Sequence, residues 1–275
     1  MEGRDPDFLI IGAMKAGTTS LFRWLESVDG VELPEIKELN FFSGQTWDRG
    51  LEWYRSQFPA DAGVTGEASP AYSSPLLAEP AAARIQEILP DISLVFSVRD
   101  PVERTRSHYR HQVQRGRERR TFAEAAGPDS EYVTGSLYTR ALSPYLQRFP
   151  AHKLLLVRFE ELTKDTETEW QRVLGFLGLP DTPRPVDAHN VTGQKRRYSK
   201  VLLRLWESGR LPKAESAPRA VRNLGKLVMT SDSTRYRRLL SSSQMDLPME
   251  SMRLIEEDRS ALGHLTDLDP WRATD

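Results

Sequence analysis

The sequence predicts an α/β fold, with a central, mostly parallel sheet flanked by helices on both faces. Short apolar runs at 7–12, 63–66, 93–98 and 153–159 alternate with helical stretches at 81–89, 101–115 and 166–177, and such alternation is the signature of crossovers between parallel strands. The first run, Phe8-Leu9-Ile10-Ile11, is apolar at every position, as a strand buried on both faces requires. With 275 residues, 39% hydrophobic and 28% charged, the chain can enclose one large core, so a single domain over 1–275 is expected.

Each element follows from local signals. The first run ends at Gly12 and is followed at once by a helical pattern of Leu21, Phe22, Trp24 and Leu25, which makes a strand–loop–helix unit. Pro101 suits the first position of a helix, where a missing N–H costs nothing, and Asp100 before it is a natural cap. The stretch 209–218, with Pro212 and Pro218 among small and charged residues, reads as a loop. Residues 249–262 are helical again, and Leu268-Asp269-Pro270-Trp271 is expected to pack the end of the chain down. No internal repeat is visible.

Composition narrows the function classes. The apolar run near the start is too short for a membrane span and lacks the basic flank and cleavage site of a secretory signal, so neither is expected. Cysteine is absent and the five histidines show no ligand spacing. Neither a disulfide nor a metal site is therefore expected, and a reducing, cytoplasmic setting is. The net charge of -1 conceals a segregation: residues 195–238 hold thirteen Lys or Arg against three acids, and 99–120 hold eight arginines against three. Two such segments suggest convergence on an anionic ligand, although solvated helix faces would give the same counts. The segment at about 189–238 is expected to be mobile until that ligand binds, because its charges repel one another and Gly193, Gly209, Pro212 and Pro218 interrupt it.

The loop Gly12-Ala13-Met14-Lys15-Ala16-Gly17-Thr18-Thr19-Ser20 joins the first strand to the first helix, where backbone N–H groups and the helix dipole favour an anion. Gly12 and Gly17 have the spacing of a nucleotide triphosphatase loop, but Thr18 stands where that loop needs lysine, and the lysine has moved to Lys15. A three-layer P-loop-like fold is thus expected, with Lys15, Ala16, Gly17, Thr18, Thr19 and Ser20 gripping a donor shorter than a triphosphate. Arg99 ends a buried strand, where open α/β sheets bind ligands, and its planar fork suits a phosphate; Ser107 lies two turns on. Glu38 sits amid apolar residues beside Lys37, either as a surface ion pair or as a catalytic carboxylate. A P-loop kinase acting on a small metabolite is one alternative, and a nucleic-acid-binding module resting on the basic stretch after Lys195 is another. Neither accounts for Glu38, Arg99 and Ser107 together, so no nucleic-acid partner is expected.

Four segments in order resemble sulfotransferases that use 3′-phosphoadenosine 5′-phosphosulfate, most closely the heparan-sulfate type and its bacterial relatives. They are the run 8–25 with its K-A-G-T-T-S, Lys37-Glu38-Leu39-Asn40-Phe41-Phe42, Gly66-Glu67-Ala68-Ser69-Pro70-Ala71-Tyr72, and Val98-Arg99-Asp100-Pro101 with Arg106-Ser107-His108-Tyr109 behind it. The resemblance implies that Lys15 contacts the sulfate and the bridging oxygen, that Arg99 and Ser107 hold the 3′-phosphate, and that Glu38 is the acceptor's general base. It also implies that a loop containing Gly193, Gln194, Lys195 and Arg196 closes over the nucleotide. His108 and His111 are the next candidates should Glu38 not be the base. At Ala68 the heparan 3-O-sulfotransferases have a lysine, a departure that bears on the acceptor and not on the donor. Neither the acceptor nor the oligomeric state is legible.

Overall fold

The computed structural model describes residues 3–163, 167–185, 239–241 and 245–266. Five strands, β1 (Phe8–Gly12), β2 (Val31–Glu32), β3 (Val64–Ala68), β4 (Ser93–Val98) and β5 (Leu154–Arg158), form one sheet in the order β2-β3-β1-β4-β5. Every pairing is parallel, with Phe8 opposite both Gly66 and Ser93, and Leu94 opposite Leu154. The chain passes from the central β1 to the edge at β2, returns to β3 beside β1, then crosses to the other side for β4 and β5. The order therefore reverses between β1 and β4, and the carboxyl ends of those two strands flank the crevice where open sheets bind ligands.

Helices cover both faces. On one lie α1 (Thr18–Leu25), α8 (Phe159–Thr163) and α9 (Glu167–Phe176), whose Leu21, Trp24, Leu162, Trp170 and Val173 bury against Phe8 and Ile10. On the other lie α2 (Gly50–Arg55), α3 (Ala78–Ile88) and α7 (Tyr138–Leu146), packed with Phe41, Phe42 and Phe96 against Leu9 and Ile11. Successive side chains of a strand point to opposite faces, so the unbroken apolar run of β1 feeds two cores at once. A satellite cluster joins α4 (Pro101–Gln114), α5 (Phe122–Ala125), α6 (Glu131–Thr134) and α10 (Met249–Thr266) through Tyr109, Val113, Phe122, Tyr132 and Ile255.

The strand expected at 63–66 runs on to Ala68, with Gly66 inside it: a Cβ there would lie 2.6 Å from the Phe8 ring, so the glycine serves packing rather than a turn. Several elements were not anticipated, among them β2, α2, α5, α6, α7 and α8. β2 has two residues, too few for any periodicity. α5 and α6 are single turns made by their caps, the Thr121–Glu124 capping box and the Ser130 hydroxyl accepting from Val133 N–H. α7 carries Pro144 in its interior, which conceals the helical pattern. The loop expected at 209–218, the basic segment at 189–238 and Leu268 to Trp271 lie outside the described residues. No described helix is long and apolar enough to cross a membrane.

Candidate active site

At the carboxyl ends of β1 and β4 opens a cavity of about 1340 Å³, lined among others by Lys15, Gly17, Thr18, Thr19, Ser20, Glu38, Arg99 and Ser107. Residues drawn from three separate segments of the sequence thus meet in one space. Ala16 does not line it: its side chain is in the core, its N–H donates to the Ala13 carbonyl (3.1 Å) and its carbonyl accepts from the Ser97 hydroxyl (2.5 Å). Gly193, Gln194, Lys195 and Arg196 lie outside the described residues.

The loop after β1 is shaped by backbone that few side chains tolerate. Lys15 and Gly17 have φ of 73° and 85°, in the left-handed region. Gly17 cannot be replaced without a clash, since a Cβ would lie 2.2 Å from the Phe159 ring. Gly17 is also the cap residue of α1, and no side chain caps that helix end nor does an acid occupy its first turn. The first-turn N–H groups have no intrahelical acceptor, and together with the positive end of the helix they suit an anion. Bonds to β4 and α4 anchor the loop: Ala13 N–H donates to the Ser97 carbonyl (2.7 Å), and Arg104 Nε donates to the Met14 carbonyl (2.9 Å).

Arg104 was not singled out in the sequence. It is buried, also donates to the Tyr132 carbonyl (3.0 Å), and burial lowers its pKa to about 10, which still leaves it cationic near neutrality. The only signal available was its place on the face of α4 that also presents Ser107 and His108. Arg99 lies at the strand end, its backbone held between a Tyr138 hydroxyl that accepts from its N–H (3.3 Å) and donates to its carbonyl (2.9 Å). Its guanidinium lies 5.0 Å from the centre of the Phe159 ring. Asp100 caps α4 as expected, accepting from Glu103 N–H at 2.8 Å. His108 is buried, and burial, followed by the charges of Arg104, His111 and Lys15, pushes its pKa to about 2. It is neutral at any working pH and a poor proton acceptor.

Glu38 sits on the opposite wall, half exposed, its carboxylate 2.8 Å from Lys37 Nζ. Its φ of 68° and that of Asn40, 54°, are again left-handed, a costly conformation that the surroundings must impose. Glu67 imposes it. This buried carboxylate accepts from the hydroxyls of Ser69 (2.5 Å), Tyr72 (2.6 Å) and Tyr54 (3.0 Å), and from Leu39 N–H. Ser69 Oγ in turn accepts from Asn40 N–H (3.0 Å), and the Asn40 side chain donates to the Glu38 carbonyl (3.0 Å). Burial raises the Glu67 pKa, against the pull of those hydrogen bonds. In the sequence Thr65, Glu67 and Ser69 alternate with Gly66 and Ala68 through β3 and one residue past its end, but that all three are buried is decided by the fold. Ala68 points the other way, into the core with Phe8 and Leu21, and does not line the cavity.

Residues 5–201 match the sulfotransferase domain family. Among curated relatives, mouse heparan sulfate glucosamine 3-O-sulfotransferase 6 is 33% identical over 189 residues, which cover 64% of this chain and 53% of the relative. The Caenorhabditis elegans bifunctional heparan sulfate N-deacetylase/N-sulfotransferase 1 is 27% identical, with 65% and 22% covered. The chain thus spans about half the length, or less, of these curated relatives. A solved sulfotransferase from Alicyclobacillus acidocaldarius superposes with a TM-score of 0.60 at 27% identity, over 68% of this chain and 86% of that one.

Proposed function

The chain belongs to the sulfotransferase domain family, and from that premise we propose that it transfers a sulfuryl group from 3′-phosphoadenosine 5′-phosphosulfate to a hydroxyl or amine of a saccharide or small-molecule acceptor. The observation that carries this reading is the single cavity in which an uncapped helix end, Lys15, Arg99 and Ser107 face the same space as Glu38. The anionic donor fits such a donor set: its 5′-phosphate would lie at the α1 N–H groups and Lys15, its 3′-phosphate at Arg99 and Ser107.

In the reaction an acceptor oxygen or nitrogen attacks sulfur in line with the bridging oxygen. A bond from acceptor to sulfur forms, the bond from sulfur to the bridging oxygen breaks, and its electron pair stays on the 5′-phosphate. Lys15 and the loop N–H groups stabilise the charge that gathers there. Glu38 takes the acceptor's proton, a task that needs only hydrogen-bond reach and supplies about 10²- to 10⁴-fold. The left-handed backbone at Lys15 and Glu38 fits groups held for chemistry rather than for local comfort.

The direct test is calorimetry with 3′,5′-diphosphoadenosine and AMP in the absence of metal. Tighter binding of the diphosphate is expected; equal affinity, or binding of ATP that requires Mg²⁺, would overturn the donor. Incubating the protein with sulfur-labelled donor and an extract of its source cell would identify the acceptor. A cytoplasmic location, proposed because the chain has no cysteine, would be contradicted if fractionation placed the protein in an oxidising compartment.

A further inference from the structure

We propose that Arg110 is a third ligand of the donor's 3′-phosphate and the residue that makes this chain demand it, an inference that rests on the donor reading above. Arg110 lines the cavity with Ser107. It is three residues further along α4, so the two side chains are neighbours on one helix face. The resemblance assigns the 3′-phosphate to Arg99 and Ser107, with the loop containing Gly193 closing over it, and gives Arg110 no role.

Three neighbouring arginines are engaged, and Arg115 and Arg117, which also line the cavity, are exposed. Arg106 pairs with Glu103 (2.8 Å) and donates to the Met245 carbonyl (2.9 Å), Arg104 is tied to Met14 and Tyr132, and Arg99 reaches Glu103 at 3.8 Å. Arg110 is half-buried, yet makes no hydrogen bond or ion pair among the described residues. Burial, then the charges of Arg106 and Arg99, works against its own charge, with Glu103 the acid that opposes them. Arg99 and Arg106 pair with Glu103 while Arg110 only feels its charge, and the surplus positive charge suits a phosphate dianion and not a bare 3′-hydroxyl. A partly buried cation in this position costs stability until an anion completes it, and a guanidinium can meet phosphate with two parallel donors.

The experiment measures binding of 3′,5′-diphosphoadenosine and of AMP to the wild-type protein, to Arg110→Ala and to Arg110→Lys by calorimetry, with thermal melting to confirm folding. Loss of one charge-assisted contact should weaken diphosphate binding by about ten- to a hundredfold in Arg110→Ala, and AMP binding by less than about twofold. Arg110→Lys should recover part of the loss, since it restores charge without the fork. If Arg110→Ala keeps the wild-type preference for the diphosphate, or weakens both nucleotides equally, the proposal falls while the donor reading stands. If the wild-type protein itself shows no preference, the donor reading falls and the proposal with it.

Discussion

Two buried carboxylates, Glu67 behind the Glu38 loop and Glu118 beyond the end of α4, are pushed in opposite directions by their surroundings. Glu67 is met by three neutral hydroxyls and a backbone N–H, which do not offset burial, and its pKa rises. For Glu118 burial also acts upward, but the Arg120 guanidinium, the N–H groups of Arg120 and Arg119 and the Tyr132 hydroxyl outweigh it and bring the pKa down to about 2. Partners of either kind satisfy the oxygens; at Glu118 a cation and two backbone N–H groups together keep the carboxylate charged, which the three hydroxyls and one N–H at Glu67 do not. The same division runs through the cavity. The proposed donor side is built from strand ends, a helix terminus and arginines, whereas the proposed acceptor side hangs on an irregular loop that neutral hydrogen bonds hold in place.

Glu38→Gln would sharpen the division most. It should lower turnover by about 10²- to 10⁴-fold while leaving the affinity for 3′,5′-diphosphoadenosine within about twofold of wild type; near-normal turnover in steady-state assays would remove Glu38 as the base. Lys15→Ala should cost about 10²- to 10³-fold in turnover and also weaken the diphosphate, because its charge serves bound donor and leaving group alike. If only turnover fell, the donor side would not be the binding side.

Glu67→Ala should destabilise the fold by about 1–3 kcal/mol by leaving the Tyr54, Tyr72 and Ser69 hydroxyls without their acceptor. Denaturant melts measure that loss. Glu67→Gln, which keeps an acceptor, should lower turnover more than it weakens the diphosphate, since Asn40 and Glu38 are held through Ser69; equal loss of both would make Glu67 merely structural.

The two carboxylates should also give pH dependences of opposite sign. A Glu67 pKa raised in the folded state means that the native protein holds its proton more tightly, so its contribution declines as pH rises from the unfolded value through the folded one. Glu118→Gln tests the reverse. With its folded pKa at about 2, Glu118 stabilises the protein above the unfolded value of about 4.3, and that contribution is lost as pH falls through the interval. Thermal melts of wild type should steepen downward there, and those of the variant should be flatter. Identical acid profiles would show that Arg120 contributes nothing to the pairing.

Local pattern carried much of this architecture. An apolar run closed by Gly12, a Pro at the head of α4 and the spacing of Gly12, Lys15 and Gly17 are properties of neighbouring residues, and β4 lies at the 93–98 run. These signals also located the loop after β1 and Arg99 at the end of β4, both of which line the cavity, because a strand end is where a parallel sheet exposes its ligand crevice. Single-turn helices and the two-residue β2 left no periodicity to detect.

What the tertiary structure alone decided is which side chains are buried, and with whom. Arg104 reaches a carbonyl 90 residues away at Met14, and the Asn40 N–H finds Ser69 at a separation of 29. No window of sequence contains both partners. The chain by itself determined the sheet, the glycine-containing loop after β1 and the residue types that line the cavity. Packing determined that His108 is buried at the cavity wall with its pKa lowered, that Glu67 holds the loop of Glu38 through Ser69, and that Arg110 lines the cavity beside Ser107. Desolvation depends on every atom within a few ångströms, and those atoms come from parts of the chain that only folding brings together.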